Sequence, residues 1–412
     1  MTQIPGKAET RRSLVPTKPF LPDDPILAAY VHIPFCRSKC HYCDFCSFPD
    51  PTEASLSAYV DALCREINQM GENISEQKSK VPLRTIFFGG GTPTILSPGQ
   101  LIQILDAIRN AFGWEPESEI TLEANPGTVT AEGLAALRLA GFNRLSFGLQ
   151  AMQPHLIRWL GRTHTPDDFL AGIDMARAAG FTSINTDIMF GLPGQTLADV
   201  EQTVCQVLAL PIEHLSFYSL IVEENTPLQA MVEISPQLLP DEDSERAQYR
   251  RIIELVTAAG MTHYEISNAA LPGQECRHNL VYWHGNFYYG FGVSAHAFTQ
   301  GVRRANTADL TVYLQGWGRS QAGLPDRSFL STELEIIDRK SAMKEMMLLG
   351  LRLLSGVSAQ RFYHRFGVGL EDVFGPQIVR MTRRGLLAFD REGVRLTPIG
   401  LDLANQVLME FV

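Results

Sequence analysis

Apolar and polar positions along the chain follow two alternating periods. Six short runs rich in apolar and β-branched residues each close on glycine or polar residues: "ILAAYVHI" (26–33), "RTIFFGG" (84–90), "SEITLEANP" (118–126), "NRLSFGLQ" (143–150), "TSINTDIMFGLPG" (182–194) and "EHLSFYSLIVE" (213–223). Helical patterns separate them; in "LSAYVDALCREINQM", Leu56, Tyr59, Val60, Leu63, Ile67 and Met70 recur at the spacing of one helix face. Near-continuous apolar strands alternating with amphipathic helices predict an α/β fold with a parallel sheet, and six units predict a partial or complete barrel over residues 27–235. Ligands in such folds gather at the C-terminal ends of the strands. Those ends carry here a cysteine-rich loop, Gly89-Gly90-Gly91-Thr92-Pro93, Glu123, Gln150, Asp187 and Ser219.

The pattern changes downstream. Residues 236–325 read as an extension of the barrel, and residues 326–412 as a mostly helical, winged-helix-like domain whose last helix starts at Thr397 with Pro398 in its first position. Residues 1–26 mix Arg, Lys and Pro without periodicity and are expected to form a flexible tail.

Composition narrows the function classes. With 412 residues, 45% of them hydrophobic, the chain supports a sizeable core, and a net charge of -10 lacks the positive field that most nucleic-acid binders use. Arg380, Arg383, Arg384, Arg391 and Arg395 make the last region locally basic, but the whole-chain charge opposes nucleic acid as a partner. No run of about 18 apolar residues suggests a membrane segment, and no secretory pattern opens the chain, so a cytoplasmic location is expected.

Seven cysteines, an odd number, point in a reducing compartment to metal or redox chemistry more than to disulfides. Four of them, Cys36, Cys40, Cys43 and Cys46, fall in "CRSKCHYCDFC". Structural zinc usually draws on two separated pairs, which this spacing does not provide. A cubane iron–sulfur cluster held by four thiolates, Cys46 included, is a second reading, and a cluster with one iron left open is a third. Cys64 and Cys205 sit in helical patterns and are expected in the core.

Cys36-x-x-x-Cys40-x-x-Cys43, preceded by "YVHIPF" and followed by "GGGTP", resembles the radical S-adenosylmethionine (SAM) superfamily. That resemblance implies a [4Fe–4S] cluster on Cys36, Cys40 and Cys43, an open iron that chelates SAM, and a reductant such as a flavodoxin or ferredoxin. His41 and Tyr42 would then shield the cluster. The stretches "YVHIPFC", "GGGTPT", "LEANPGT", "RLSFGLQ", "LGRTH", "DIMFGLPGQT" and "EISNAA" are similar, more narrowly, to the oxygen-independent coproporphyrinogen III oxidase-like group. Carried over by position, Tyr30, Tyr42, Gly91, Thr92, Glu123, Gln150, Arg162 and Asp187 would bind SAM.

That group holds two functional classes: a dehydrogenase that decarboxylates coproporphyrinogen III, and heme chaperones that pass heme to an acceptor protein. The dehydrogenase has an additional cysteine two residues after the third ligand; here that position is Phe45 and the extra thiol, Cys46, lies one residue further on. His278-Asn279-x-x-Tyr282-Trp283 resembles the HNxxYW motif of the chaperones, which implies heme at His278, Asn279, Tyr282 and Trp283. The plain alternative is that His278 and Asn279 tie a loop while Tyr282 and Trp283 fill core. His284 and Cys276 are rival iron ligands, and Arg303, Arg304 and Asn306 are candidates for the heme carboxylates. The expectation is therefore a heme chaperone, with the dehydrogenase as alternative.

Overall fold

The computed structural model describes residues 25–76, 81–318 and 330–412. The expected tail falls almost wholly outside these residues, as does the expected boundary at 325–326. Six strands, β1 (Ala28–Ile33), β2 (Leu83–Gly90), β3 (Trp114–Ala124), β4 (Arg144–Gln150), β5 (Ser183–Phe190) and β6 (His214–Ser219), lie side by side in chain order, all parallel. Parallel neighbours need a long crossover, and each crossover carries a helix: α1 (Glu53–Glu76), α2 (Pro98–Ala111), α3 (Ala131–Ala140), α4 (Pro166–Ala178) and α5 (Leu197–Leu208). Local chemistry sets where these helices begin. Ser97, Thr165 and Thr196 each accept from a backbone N–H three residues on, where Gln100, Asp168 and Asp199 return the bond.

After α6 (Glu242–Ala258), β7 (Thr262–Glu265) and β8 (Asn268–Ala270) extend one end of the sheet, β8 antiparallel to β6 and β7 antiparallel to β8. The helix α7 (Arg277–Trp283) follows, and β9 (Tyr289–Phe291) then joins the other end beside β1. Among the described residues, the order β9-β1-β2-β3-β4-β5-β6-β8-β7 leaves the two ends unpaired with each other, so the barrel is open.

The faces of the strands are less uniform than their runs suggest. One face is apolar and packs against the helices through residues such as Ile86, Phe88, Ile120, Leu145, Phe147 and Phe217. The alternate positions are polar and meet across neighbouring strands: Arg144 faces Glu119, Ser146 faces Asp187, and His214 faces Asn185. Sequence periodicity hides this inner face because its polar groups are small or paired.

Residues 236–318 supply α6 and α7, three strands of the main sheet, and two strands of a second small sheet. In that sheet β11 (Val302–Asn306) lies in the centre and pairs antiparallel with β10 (His296–Thr299) and with β12 (Ser331–Ile336). The C-terminal region builds its own core. There α8 (Arg339–Gly350), α9 (Ala359–Phe366) and α10 (Leu370–Arg383) pack Met347, Phe362, Phe374 and Met381 with Phe411, and Phe287 and Phe298 join them. A three-stranded wing, β13 (Val357–Ser358), β14 (Leu387–Asp390) and β15 (Gly393–Leu396), completes it in the order β13-β15-β14. Thr397 caps the following helix as expected, but that helix ends at Asp402 and a second, Ala404–Leu408, follows. Arg380 pairs with Glu410 and Arg395 with Asp390, which offsets part of the local positive charge. Cys205 departs from its expected place: it is exposed on the outer face of α5, and Cys64 is half-buried.

Candidate functional site

The site begins where β1 ends. Two-residue strands Phe35–Cys36 and Phe48–Pro49 pair and clamp the cysteine loop at its base. The Cys43 N–H donates to the Cys40 carbonyl, and His41 anchors the middle of the loop: its N–H donates to the Leu160 carbonyl, and its Nδ1 bonds to the Trp159 carbonyl at 2.8 Å. The three thiols are close enough to interact: Cys36 raises the proton affinity of Cys40, and Cys36 and Cys40 together raise that of Cys43. Burial pushes Cys40 up, against the pull of Arg162, and takes Cys43 to about 11, so iron must displace protons when it binds. Cys46 stands apart. Its thiol donates to the Ala308 carbonyl, and its electrostatic neighbours are Ser294 and Lys39 rather than the other three thiols.

Among the described residues, no three His, Cys, Asp or Glu side chains converge closely enough for a single metal ion. Thiolates of a cubane bind separate irons and so stand further apart. The three grouped thiols and the displaced fourth fit a cluster with one open iron.

Around the loop the β2 and β4 ends press in. Gly91 permits close approach: a Cβ there would lie 2.6 Å from the Phe35 carbonyl oxygen and 3.0 Å from Cys36 Sγ. Thr92 Oγ1 accepts from Asn125 Nδ2 at 2.8 Å, which leaves its own hydrogen for Cys36 Sγ at 3.6 Å. Arg162 is held on all sides, donating to Tyr42 Oη at 3.2 Å, to the Gly148 carbonyl at 2.8 Å, to Asn125 Oδ1 and to His164 Nδ1, with Cys40 Sγ at 4.0 Å. Burial and the Arg162 charge lower His164 to about 4, so it stays neutral and gives its Nε2 hydrogen to the Leu149 carbonyl. Gln150 sits at φ 72, beside a register shift between β4 and β5. Such strain in a buried polar residue at a strand end marks a site.

One layer deeper, Glu123 accepts from the Gly90 N–H at 3.2 Å, and Asp187 is held by Asn185 and Ser146. Tyr30 lies against Phe87, gives its hydroxyl to His32 Nδ1 at 2.9 Å, and feels Glu123. Burial raises Glu123 from its ordinary 4.5 to about 8, and the neighbouring Asp187 adds to the shift; Asp187 is itself raised, chiefly by burial. Two carboxyls that resist ionisation in this way are ready for a cationic or hydroxyl-bearing ligand.

This shift has a stability consequence. Between pH 4.5 and 8 the folded protein keeps a proton on Glu123 that the unfolded chain has lost, so stability falls as pH rises through that window and levels above it. Glu123→Gln is expected to flatten this decline in the ligand-free protein, read as thermal midpoints from pH 5 to pH 9; a decline of unchanged slope would show that Glu123 does not cause it.

The expected SAM residues thus collect at one rim with the three cysteines. Asn125 and His164 were missed as individuals, although both stand inside stretches singled out for their resemblance. Ser219 turns away to Glu245 on α6.

The expected heme residues do not join this rim. They lie on α7, at the N-terminal ends of β2 to β4, where the buried Glu119 carboxylate caps the helix by accepting from the Arg277 and His278 N–H groups. His278 is 1% exposed; its Nδ1 bonds to Thr85 Oγ1 at 2.9 Å and its Nε2 to Tyr282 Oη at 2.7 Å. Burial lowers it to about 3, and neither ring nitrogen is free for iron in this arrangement. Cys276 is buried and raised to about 12 by burial and by Glu119, which keeps it a thiol. Trp283 stacks under Arg352, and Asn279 is half-buried. His284 is lowered to about 4 by burial and by Arg361. Asn306 is committed to Glu66 and the Gly292 carbonyl, Arg303 to Glu335 and Glu345, and Arg304 is exposed.

Comparison with known proteins agrees with the fold. Residues 30–205 match the radical SAM superfamily and residues 337–403 the HemN C-terminal domain. The heme chaperone HemW of Bacillus subtilis (strain 168) is 36% identical over 389 residues, 93% of this chain and 99% of that protein. HemW of Escherichia coli (strain K12) is 33% identical over 94% of this chain and 98% of its own length. Among solved structures, the coproporphyrinogen III oxidase HemN of Escherichia coli superposes with a TM-score of 0.80 at 23% identity, covering 94% of this chain and 90% of that one, a likeness of fold. From a three-cysteine loop on an open six-stranded barrel and near full-length identity to these relatives, it follows that the chain belongs to the HemW family of the radical SAM superfamily.

Proposed function

We propose that the protein is a heme chaperone that carries a [4Fe–4S] cluster and SAM, and that it transfers heme to an acceptor protein. The observation that carries this reading is identity above 30% to HemW proteins over more than nine-tenths of the chain. The rim residues support the cofactors. Cys36, Cys40 and Cys43 would hold the cluster, which supplies a low-potential electron and an open iron for SAM. Gly91 and Thr92 would let the ligand's polar head approach the backbone, Arg162 would set the loop through Tyr42 and Asn125, and Glu123 and Asp187 would accept from ammonium or ribose hydroxyls. Tyr30 and Gln150 would line the floor and wall of the same pocket.

Phe45, where the dehydrogenase class has its additional cysteine, is 61% exposed beside the cluster loop. A small electron donor such as a flavodoxin or ferredoxin would approach the cluster from this exposed side of the loop. Among the described residues no helix is long and apolar enough to cross a membrane; we place the protein in the cytoplasm, where the reducing milieu keeps the thiols available.

The test is a pair of anaerobic assays on reconstituted protein. Titrated heme is expected to give a saturable absorbance change with one site per chain, whereas coproporphyrinogen III with SAM and a reductant is expected to stay unchanged. Formation of protoporphyrinogen would overturn the chaperone reading in favour of the dehydrogenase.

A further inference from the structure

Behind the rim, the inner face of the barrel holds a chain of hydrogen bonds that ends on Asp187. It starts at the Cys276 N–H, one residue before α7, which donates to Tyr264 Oη on β7 at 3.3 Å. Tyr264 Oη lies 2.8 Å from His214 Nε2, at the start of β6, and His214 Nδ1 lies 2.6 Å from Asn185 Oδ1 on β5. Asn185 Nδ2 closes the chain on Asp187 Oδ1 at 2.7 Å. One end is thus a carboxyl of the SAM rim, and the other belongs to the helix start at the opposite end of the barrel.

Each bond in this chain has one direction. Asp187 presents oxygens, so Asn185 turns its amide nitrogen to them, and the same nitrogen donates to Ser146 Oγ at 2.7 Å. The Asn185 oxygen then faces His214, where it also accepts from Ser216 Oγ at 3.1 Å. A carbonyl oxygen brings no hydrogen of its own, so His214 must carry one on Nδ1. His214 is fully buried, and burial, then the Arg144 charge, hold it well below the ordinary histidine range; it is neutral and has only that one hydrogen. Its Nε2 is therefore a bare lone pair and takes the hydrogen of Tyr264, which burial keeps protonated.

One tautomer of one histidine therefore decides which end of Asn185 reaches Asp187. With the hydrogen on Nε2 instead, the Asn185 amide would flip to keep its bond to His214, and its oxygen would turn to the Asp187 carboxylate. Two acceptors would then face each other. In the arrangement present, burial raises Asp187, and the donors on Asn185 and Ser146 work against that rise and keep it an acceptor. We propose that His214 is a positioning residue of the SAM site: held in its Nδ1–H form by Tyr264, it fixes the Asn185 amide, and Asn185 fixes Asp187 as an acceptor for SAM. His214 itself touches no cofactor. This assignment rests on the reading above that Asp187 meets SAM.

The experiment is anaerobic equilibrium dialysis of labelled SAM against the full-length, cluster-loaded protein, with iron and sulfide measured on every variant. His214→Phe keeps the bulk of the ring without its nitrogens and is expected to weaken SAM binding at least about tenfold while iron and sulfide stay at the wild-type level. His214→Asn places an amide nitrogen where Nδ1 stood and is expected to bind SAM within about threefold of the wild type, a rescue that ring packing alone would not give. With Asp187→Asn already present, His214→Phe is expected to add less than about twofold, because its route to SAM is gone. Tyr264→Phe removes one hydroxyl and keeps both rings, so it tests the chain even where His214→Phe fails to fold; it is expected to weaken SAM by about threefold or more. Wild-type affinity in a folded His214→Phe protein or in Tyr264→Phe, equal losses in the Phe and Asn variants, or an undiminished further loss on top of Asp187→Asn would overturn the relay. Unchanged SAM affinity in Asp187→Asn alone would instead overturn the reading of Asp187 on which the relay rests.

Discussion

Serine at Cys36, Cys40 or Cys43 is expected to remove essentially all iron and sulfide from anaerobically reconstituted protein, and serine at Cys46 to leave both at the wild-type level. Serine offers a hard oxygen in place of a soft thiolate, and a cluster with only two remaining thiolates has lost a corner of its frame. Cys46 differs by geometry rather than by chemistry. Its thiol points to the Ala308 carbonyl while its own carbonyl accepts from His32 Nε2 at 2.9 Å, so both ends of the residue are held on the far side of the loop. Iron and sulfide analysis with absorbance spectra of the four variants decides the matter. Loss of cluster in Cys46→Ser would mean a fully ligated cubane, and with it no open iron for SAM.

Glu66→Ala is expected to cost roughly 3–5 kcal/mol, the largest effect on stability of any single change considered for this chain. The Glu66 carboxylate is 6% exposed and accepts from the Gly292 N–H at 2.8 Å, Tyr313 Oη at 2.6 Å and Asn306 Nδ2 at 2.6 Å. Alanine would strand these buried donors, each at about 1–3 kcal/mol. The bonds tie α1 to the segment that follows β9. Next to them Tyr59 donates to the His32 carbonyl at 2.7 Å, so the same knot also fixes the strand that leads into the cysteine loop. Urea unfolding should show a lower midpoint with an unchanged slope; Tyr313→Phe, which removes one partner and keeps the carboxylate, should cost less. Equal midpoints for Glu66→Ala and the wild type would show that water replaces these bonds.

Local signals in the chain carried most of the architecture. The six strand runs correspond to β1 to β6, because a buried parallel strand must be apolar over a short span wherever it sits. The helix starts at Ser97, Thr165 and Thr196 were written in four-residue patterns whose bonds close within one turn. The polar inner face was not legible, because Glu119 and Arg144, or Asn185 and His214, become partners only when strands 25 to 29 residues apart are set side by side.

The same distinction separates the two candidate sites. Sequence alone determined the three-cysteine loop and the glycine-rich turn facing it, since ligand spacing and backbone clearance are properties of a few consecutive residues. Tertiary structure decided the rest: that Cys46 turns from its neighbours toward Ala308, that His278 is consumed by Thr85, 193 residues away, and that His214 meets Tyr264, 50 residues away. A side chain's type is inherited from the chain, but its free lone pairs, its charge state and its company depend on which distant groups the fold brings within bonding distance.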